Sequence, residues 1–532
     1  MTTPARQSVL ARYAAPITIH PYIGILGVFL GASTATLNGR LLSVGLPDLR
    51  GALGIGFDEA SWIPTLFNMG TMFIGVFSVF LGVAYGIRRV LLISGVCYTA
   101  LSILLPLSPN IAITLALLAA VGIASGSFYT LTLTFVARSL PPKLILFGIA
   151  AYALDIVVTS HFASFIEGWY MEHLSWRWIF WTAAALAPLV TACLYFGVPP
   201  ANAGPRPNWR GFLLMSGGLS LIYGALDQGQ RLDWWNSGVF AGMLAAGLFL
   251  VLSAFVRRYL QPNPLVNLPF LRPRNVIVLG LGIFCLRFFL LGSLLVIPTF
   301  LGNIQRYNPI LTGKALAWMA APEFVLVWIV AIATVFISSR IIMAAGFAAV
   351  AVGYWMASRV DSSWAGGSFL VPEMLISAGI SAAFVGLVVS IVLLAFEMGA
   401  VTSATNMATY AACMHTMRLL GGEIGAVALG RFLTVREQVH SNLLGQNVDA
   451  GNWLTGERLG GFAAALAPLS AGPADALARS GALLAGQVRA QAITMACSDA
   501  FLLIAWTIAG YLLLLGIMRP STINIRQLGK AK

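Results

Sequence analysis

The sequence predicts an all-α polytopic membrane protein with about 14 transmembrane helices. Hydrophobic residues make up 59% of the chain and charged residues only 9%, and the mean hydropathy is +0.87. Soluble domains carry about 25% charged residues. Apolar runs of about 20 residues, each long enough to cross the hydrocarbon core of a bilayer, recur from one end of the chain to the other. The core of a soluble protein could bury some of this apolar surface, but not long apolar runs repeated along the whole chain. The sequence therefore predicts that these runs lie in a lipid bilayer.

Proline, glycine and charged residues separate the apolar runs, as at 140–143 and 199–210. The first run follows Arg6 and Arg12 and superficially resembles a signal peptide. It is too long for one and lacks a small-residue cleavage site, so we interpret it as the first span. The predicted spans lie near residues 20–46, 60–84, 90–108, 111–136, 145–168, 177–198, 211–227, 237–256, 276–301, 314–337, 341–358, 370–396, 404–431 and 494–518.

Basic residues predict the orientation. If the N-terminus is cytoplasmic, the inner loops and termini carry seventeen Lys and Arg residues, and the short outer loops carry six. This asymmetry predicts that both termini lie in the cytoplasm. The expected location of this multi-pass protein is the bacterial inner membrane. The seventeen inner residues are Arg6, Arg12, Arg88, Arg89, Arg138, Lys143, Arg206, Arg210, Arg257, Arg258, Arg272, Arg274, Arg340, Arg519, Arg526, Lys530 and Lys532.

Residues 432–492 form the longest predicted segment outside the membrane and, with this orientation, lie on its outer side; they are rich in Ala, Gly and Leu, and we call them the outer segment. Two parts of it, 460–469 and 474–492, are interpreted as short amphipathic helices. A surface cap is the favoured interpretation. The alternative is a docking surface for a periplasmic partner, because segments outside the membrane are where a membrane protein can reach another protein.

Several function classes are disfavoured. The net charge is +13, but the basic residues lie singly or in pairs between apolar runs, which fits topology signals and not nucleic-acid binding. The five cysteines are scattered and form no CxxC motif, so neither a disulfide framework nor a metal site is expected. There is no phosphate-binding GxxxxGK[ST] motif and no evident nucleophile–base pair. We therefore expect no catalytic residues, no cofactor, no metal and no enzyme activity.

Five segments, taken in order, resemble motifs of the fourteen-helix drug:proton antiporter family of the major facilitator superfamily, the EmrB/QacA-like group. They resemble, in turn, "LDxTIVNVALP", "WRWIFxIN", "PLvdLrlfr", "lPlylQ…G…tG…lP" and "rqlGGsiG". Each similarity is modest alone, but their order covers nearly the whole chain. The segments are 37–47, 175–180, 264–272, 297–322 and 418–425.

This resemblance implies a 6+2+6 arrangement with pseudo-symmetric halves. The N-terminal six-helix bundle would occupy 1–200, two linker helices 201–260, and the C-terminal bundle 261–532, including the outer segment. It also implies a substrate cavity near the midplane that alternating access exposes to each side in turn. A periplasmic membrane-fusion adaptor and an outer-membrane channel are possible partners.

The chain departs from the family pattern at its proton-handling motifs. The first-helix Asp of the family aligns with Asn38, which cannot exchange a proton at physiological pH. The family's Asp in the loop after helix two aligns with Val83. Only Gly86, Arg88 and Arg89 match the family pattern of this cytoplasmic gating loop. The helix-five signature "GPxLGGW" falls on 163–169 and has lost its proline and two glycines. The chain is thus a divergent member, and proton antiport cannot be transferred residue by residue.

Ionisable residues inside spans are costly and are functional candidates by default. Asp155, near the middle of span five, is the candidate for proton coupling; the alternative is a permanent partner for an arginine. Arg287, in span nine, could hold an anionic substrate or pair with a carboxylate, and pairing is favoured. The predicted substrate-cavity residues are Asn38, Arg40, His161, Arg287, His415, Arg418 and Glu423.

Several of these positions also have structural interpretations. Arg40 could extend to the membrane interface. Gly421 and Gly425 have the spacing of a close helix contact, so the polar residues beside them could simply stabilise packing. Four carboxylates are predicted at span ends or interfaces, where a charge costs less: Glu167, Asp227, Glu323 and Glu373.

The leading functional hypothesis is a secondary active transporter that exports amphipathic small molecules, such as drugs or toxic organic compounds, with proton coupling. One alternative is a uniporter or importer of an anionic metabolite, motivated by Arg287 and Arg418. The other is a transport-deficient membrane partner or sensor that keeps the fold. A small-molecule substrate and membrane lipid are the expected ligands, and nucleic acid is not.

Overall fold

The computed structural model describes residues 19–140, 142–199, 208–260, 266–400, 403–449 and 451–521. These ranges contain helices and no β-strand. In chain order the α-helices are α1 (Ile19–Val44), α2 (Leu46–Leu53), α3 (Phe57–Gly75), α4 (Ser78–Tyr85), α5 (Ile87–Leu104), α6 (Ile111–Ser139), α7 (Pro142–His173), α8 (Trp178–Gly197), α9 (Trp209–Gly229), α10 (Gly238–Leu260), α11 (Leu268–Leu271), α12 (Arg274–Phe289), α13 (Ile297–Asn303), α14 (Pro309–Ala320), α15 (Glu323–Phe336), α16 (Ser339–Ala357), α17 (Leu370–Glu397), α18 (Ala404–Gly445), α19 (Trp453–Leu466) and α20 (Pro473–Gly516).

Some residues used in the sequence predictions lie outside the described ranges. The first two residues of the 264–272 motif are among them. The others are basic residues from the orientation argument: Arg6, Arg12, Arg206, Arg526, Lys530 and Lys532.

The described helices agree with the predicted span count. Eleven are long and apolar enough to cross a membrane, and α3 with α4 forms a twelfth, bent by 45°. The other two predicted spans, 211–227 and 404–431, are occupied by α9 and α18. Both carry ionisable residues, which lower their hydropathy without preventing a helix. The prediction of about fourteen transmembrane helices is therefore confirmed.

Three predicted spans are interrupted. The span at 60–84 bends between α3 and α4. The span at 276–301 contains a π-helical turn, Gly292–Val296, between α12 and α13. The span at 314–337 breaks at Pro322, which precedes the first turn of α15 and has no backbone N–H to donate to the preceding turn. Such interruptions leave the apolar pattern intact, so hydropathy did not indicate them.

The prediction of two short helices in the outer segment is partly wrong. Residues 460–469 do lie on a short helix, α19, and on the 3₁₀ turn that follows it. Residues 474–492, however, begin the 44-residue α20, and α18 continues to Gly445 as a 42-residue helix. At 1.5 Å per residue, each of these two helices is roughly 60 Å long, about twice the thickness of a bilayer's hydrocarbon core. Because α18 packs against α20, both remain helical beyond the apolar core.

Glycine allows several helix pairs to touch backbone to backbone. A Cβ atom on Gly122 of α6 would lie 2.1 Å from the carbonyl oxygen of Phe67 on α3. A Cβ on Gly197 of α8 would lie 1.9 Å from the backbone nitrogen of Gly24 on α1. In lipid, where helices gain little from burying apolar surface, this close approach is a main source of packing energy.

Two sets of contacts join the N-terminal and C-terminal helices. On one side, α7 packs against α14, α15 and α17. This contact is tight, because a Cβ on Gly313 of α14 would lie 2.3 Å from the backbone nitrogen of Phe165. On the other side, α4 and α9 pack against α18, and α9 also packs against α3 and α10. The extra pair α9 and α10 is therefore attached to both halves through α9.

We expect Gly122→Ala to lower the free energy of unfolding by roughly 1–3 kcal/mol, the usual effect of overpacking. The added methyl group has no space against the backbone of α3. Thermal unfolding in detergent measures the effect.

The matched control is Gly242→Ala on α10, where nothing lies within 4 Å of the added Cβ. There alanine should be neutral or stabilising by up to about 1 kcal/mol, because it favours the helix. Equal effects at the two positions would contradict the packing described for α3 and α6.

Candidate functional site

A cavity lies between α6, α7, α12, α17 and α18. It holds about 1140 Å³ of empty space, including its open mouth, and extends to the junction where α17 ends and α18 begins. Most of its wall is apolar. The apolar wall residues include Ile283, Leu286, Phe384, Leu387, Val388, Ile391, Val392, Ala395, Phe396, Met407, Ala411 and Met414.

The polar end of the cavity is formed by five side chains from four helices. Two arginines and a histidine come from α12 and α18, and two tyrosines come from α6 and α7. The guanidinium of Arg418 lies over the ring of Tyr129, 4.2 Å from its centroid. This cation–π contact orients a cation that has little contact with solvent. The five residues are Tyr129, Tyr152, Arg287, His415 and Arg418.

The two arginines at the polar end are not neutralised. Among the described residues neither Arg287 nor Arg418 forms an ion pair, and the Nε atom of each is buried without a hydrogen-bond partner. They are also close enough to repel each other. The carboxylate partner favoured for Arg287 is therefore not found in the described part of the chain. Arg418 is buried and Arg287 is half-buried. Unpaired cations with so little solvent are costly, so this end of the cavity is suited to accept an anion.

A glycine face fixes the position of the arginines. A Cβ on Gly421 of α18 would lie 2.7 Å from the Cα of Phe284 on α12, and Gly425 packs on Phe288. Arg287 lies over Gly422, whose added Cβ would be 3.4 Å from the Arg287 Nε. Close helix contact and a polar lining thus coexist in α18.

Asp155 lies near this end, on α7. Ser33 of α1 donates a hydrogen bond to Oδ1, while Oδ2 is buried without a partner. The carboxylate interacts electrostatically with Arg418, although no ion pair forms. Asp155 is thus held by a hydroxyl donor on α1 and interacts electrostatically with a cation on α18.

Arg40 and Glu423 belong to a second polar group, with Tyr223 and Asp227 of α9. This group adjoins the polar end of the cavity, because Arg40 interacts electrostatically with Arg287 and Tyr129. Arg40 interacts electrostatically with Glu423 and Tyr223. Asp227 accepts a hydrogen bond from Thr65 of α3 and interacts with Glu423. Arg40 and Asp227, expected near the interface, therefore face other protein groups, and the linker helix α9 contributes to this group.

Two predicted cavity residues lie elsewhere. Asn38 is buried beside Tyr98 of α5. His161 is buried on α7 with its Nδ1 3.8 Å from Oε2 of Glu323 on α15. Neither residue belongs to the lining of the cavity described above.

Three carboxylates expected at span ends or interfaces are buried in the protein. Glu167, Glu323 and Glu373 are 0%, 1% and 0% exposed. Their depth in the membrane stays a prediction. Their burial was not predicted, because distance from a span end does not reveal whether a helix face points toward lipid or toward a neighbouring helix.

The predicted gating loop joins α4 to α5. Gly86 has φ +88°, a conformation that favours glycine. Arg88 donates a hydrogen bond to the Tyr195 carbonyl near the end of α8, at 3.0 Å, and Arg89 is exposed. The loop is thus tied to the last helix of its own bundle.

Sequence reasoning missed Tyr129 and Tyr152. Tyrosine inside an apolar span is ordinary core, and its pairing with a cation on another helix depends on tertiary packing. The sequence offered only a weak signal for them, namely an aromatic side chain with a hydroxyl group in the middle of an apolar span.

We expect Arg287→Met to raise the free energy of unfolding of the ligand-free protein, by up to about 1 kcal/mol, because it removes an unpaired, half-buried charge. Thermal unfolding in detergent at low salt measures the change.

Arg340→Met is the matched control. Arg340 donates a 2.7 Å hydrogen bond to the Gly516 carbonyl, so its loss should destabilise by up to about 1.5 kcal/mol. If Arg287→Met destabilises the protein as Arg340→Met does, the arginine has a partner that this description lacks.

Comparisons with known proteins agree with this geometry. The profile of the Major Facilitator Superfamily matches residues 28–415. The chain is 22% identical to "Multidrug export protein EmrB" of Haemophilus influenzae over 93% of this chain and 95% of that protein. It is 24% identical to "Probable multidrug resistance protein EmrY" of Escherichia coli, but spans only 56% of that relative. It is 21% identical to "Fatty acid resistance protein FarB" of Neisseria gonorrhoeae, over 80% of this chain and 83% of that protein.

Solved structures share the fold. The proton:xylose symporter XylE superposes with a TM-score of 0.58 at 11% identity, covering 96% of this chain and 98% of that one. The human organic anion transporter MFSD10 (TETRAN) superposes with a TM-score of 0.52 at 14% identity, covering 95% and 100%. The predicted resemblance is confirmed: this chain is a multi-pass membrane transporter that belongs to the Major Facilitator Superfamily.

Proposed function

We propose that this protein exports amphipathic organic anions across the bacterial inner membrane by alternating access. The observation that carries the proposal is the apolar cavity whose polar end holds two unpaired arginines, Arg287 and Arg418. The names of relatives support the direction of transport, since one is a "Multidrug export protein" and another a "Fatty acid resistance protein".

The chemistry of the cavity fits such a ligand at both ends. An apolar tail would contact Leu, Val, Ile and Phe side chains and leave water, which is favourable in proportion to the area covered. A carboxylate or sulfonate would accept charge-assisted hydrogen bonds from the guanidinium groups. It would also reduce the repulsion between the two arginines, a gain that a neutral ligand cannot supply.

The moving units in this proposal are an N-terminal bundle, residues 1–200, and a C-terminal bundle, residues 261–532. The linker helices at 201–260 accompany them. The cavity extends to the α17–α18 junction, whereas α7 and α14 touch through Gly168 and Gly313. With cytoplasmic termini, that junction lies on the cytoplasmic side, so an exporter would load substrate in this conformation.

The outer segment is proposed to receive a periplasmic membrane-fusion adaptor that leads to an outer-membrane channel. α18 and α20 extend well beyond a bilayer's thickness as a packed pair, with α19 against α20. A rigid projection of this kind suits a stable contact with another protein.

The Arg418→Gln variant tests the proposed substrate class. We expect its affinity for decanesulfonate, which stays ionised at all relevant pH values, to fall roughly ten- to a hundredfold, the value of one or two charge-assisted hydrogen bonds. Affinity for decanol, the uncharged analogue, should change little. Calorimetric titration of the purified protein measures both.

The control is Arg359→Gln. Arg359 lies 4.2 Å from the ring centroid of Trp355, the same cation–π distance as Arg418 over Tyr129, but outside the cavity. It should bind decanesulfonate like the wild type. Unchanged affinity in Arg418→Gln would reject the proposed site. Binding without flux in proteoliposomes under any gradient would favour a sensor, and inward flux under physiological gradients an importer.

Proton coupling through Asp155 forms a second part of the proposal. In proteoliposomes, Asp155→Asn should abolish the acceleration of decanesulfonate transport by a pH gradient, because an amide cannot exchange a proton. Substrate exchange at equal pH should persist.

Ser33→Ala, which removes the hydroxyl donor but keeps the carboxyl, should shift the pH dependence of transport without abolishing coupling. Asp361→Asn, in an exposed loop, is the matched acid control and should transport like the wild type. Gradient dependence that survives in Asp155→Asn would remove this residue from the coupling mechanism.

A further inference from the structure

A second buried polar cluster lies where α7 meets the C-terminal helices. It consists of His161 on α7, Glu323 at the start of α15 and Glu373 in the first turn of α17, which are 1%, 1% and 0% exposed. We call it the interbundle cluster, because His161 precedes residue 200 and both glutamates follow residue 261. None of the three lines the central cavity.

Of the three side chains, Glu323 has the fewest hydrogen bonds. The Nδ1 atom of His161 lies 3.8 Å from its Oε2, beyond hydrogen-bond distance. Neither carboxylate oxygen has a hydrogen-bond partner, although both are buried. Ser377 of α17 also lies near this carboxylate, and Glu373 is close enough to repel it. A fully buried carboxyl group with no lysine or arginine paired to it is costly in its ionised form.

Glu373 accepts hydrogen bonds from a residue of a different helix. Ser293 donates to the two carboxylate oxygens at 3.1 and 3.0 Å. Ser293 lies in the π-helical turn Gly292–Val296, and such turns are frequent at functional sites. The hydroxyl of Tyr354 on α16 contacts Ser293 at 3.3 Å and donates to the Phe289 carbonyl at 2.5 Å.

The charge of the cluster cannot be balanced without protons. In the described part of the chain, the titratable groups that face it are His161 from α7, Glu323 from α15, Glu373 from α17 and Tyr354 from α16. Among the described residues, no lysine or arginine forms an ion pair with either glutamate. With a neutral imidazole, two ionised glutamates leave two negative charges in a closed site. Each proton bound removes one of them.

A metal ion is a poor alternative occupant. The described side chains include no group of three or more His, Cys, Asp or Glu residues arranged to hold one. Protons need no such arrangement, since each carboxyl oxygen or imidazole nitrogen can accept one singly.

We propose that the interbundle cluster is a proton-binding site whose loading controls the separation of α7 from α15 and α17. Near the cluster, the backbones of α7 and α14 are in direct contact, because a Cβ atom on Gly168 would lie 2.5 Å from the backbone nitrogen of Ile310. When the bundles part here, His161 leaves Glu323 and water reaches the carboxyls. Protons then exchange with the side that has opened, which the closed state prevents.

The first experiment needs no substrate and is therefore independent of the proposed function. Infrared difference spectra between acid and neutral pH are recorded for the purified wild-type protein. The carbonyl stretch of protonated carboxylic acids is separate from the carboxylate bands. We expect a titrating buried-carboxyl signal that Glu323→Gln and Glu373→Gln each reduce. The double variant should reduce it further, leaving the contribution of the other buried carboxyl groups, such as Asp155 and Glu167. Glu457→Gln, an exposed glutamate on α19, should leave the signal unchanged.

His161→Gln retains both carboxyls and provides a variant in case a glutamine variant does not fold. It should move the midpoint of the carboxyl signal along the pH axis without removing it. Difference spectra identical to wild type in the double variant, or in His161→Gln, would overturn the proposal.

The second experiment rests on the proposed function. A gradient of one pH unit can drive about tenfold accumulation for each proton exchanged. Decanesulfonate accumulation in proteoliposomes should lose this factor in Glu373→Gln, while binding of decanesulfonate stays within about twofold of wild type. If wild-type protein neither binds nor transports decanesulfonate, the substrate class fails, whereas the infrared result still decides the proton site.

Discussion

Hydrocarbon cannot hydrogen-bond or solvate charge, and this constraint organises the structure. Backbone groups are satisfied within helices, and each ionisable side chain in a span must face protein or water. The chain meets the second requirement by turning its charges inward on several helices. Arg287, Arg418, Asp155 and Glu323 all come from different points of the sequence, yet each faces another helix or the cavity. The same requirement that makes these residues costly therefore collects them into sites.

The constraint also explains which parts of the architecture the sequence could predict. A run of about 20 apolar residues is required wherever a helix crosses the bilayer. The lengths of the apolar runs and the polar, proline and glycine residues between them were therefore sufficient to predict about fourteen spans. Ordered motifs added the family, which the match over residues 28–415 confirmed. Hydropathy did not predict the local breaks. Pro322 and the turn at Gly292–Val296 change hydrogen bonding along the helix axis but leave hydropathy unaltered.

The site was only partly predictable, because a residue's function depends on its helix face and on the neighbouring helix. Periodicity indicates little about facing in spans that are apolar all round, as in α7 and α17. Glu323 and Glu373 were expected at the interface and are buried, while Asn38 lies beside Tyr98 and not in the cavity. Arg287, His415 and Arg418 do meet in one cavity. They were identifiable because a basic side chain at mid-span has few explanations besides a polar site.

The loss of the family's first-helix acid at Asn38 makes the positions of the remaining acids important. Asp155 and its donor Ser33 both precede residue 200, so the proposed rocking of two halves would move them together and leave their hydrogen bond intact. Asp155 interacts electrostatically with Arg418, and an anion bound in the proposed site would change that interaction. The interbundle cluster differs, because His161 and the two glutamates belong to opposite proposed halves and the same motion would pull them apart. One acid site would therefore respond to substrate and the other to conformation, and coupled transport requires a response to both.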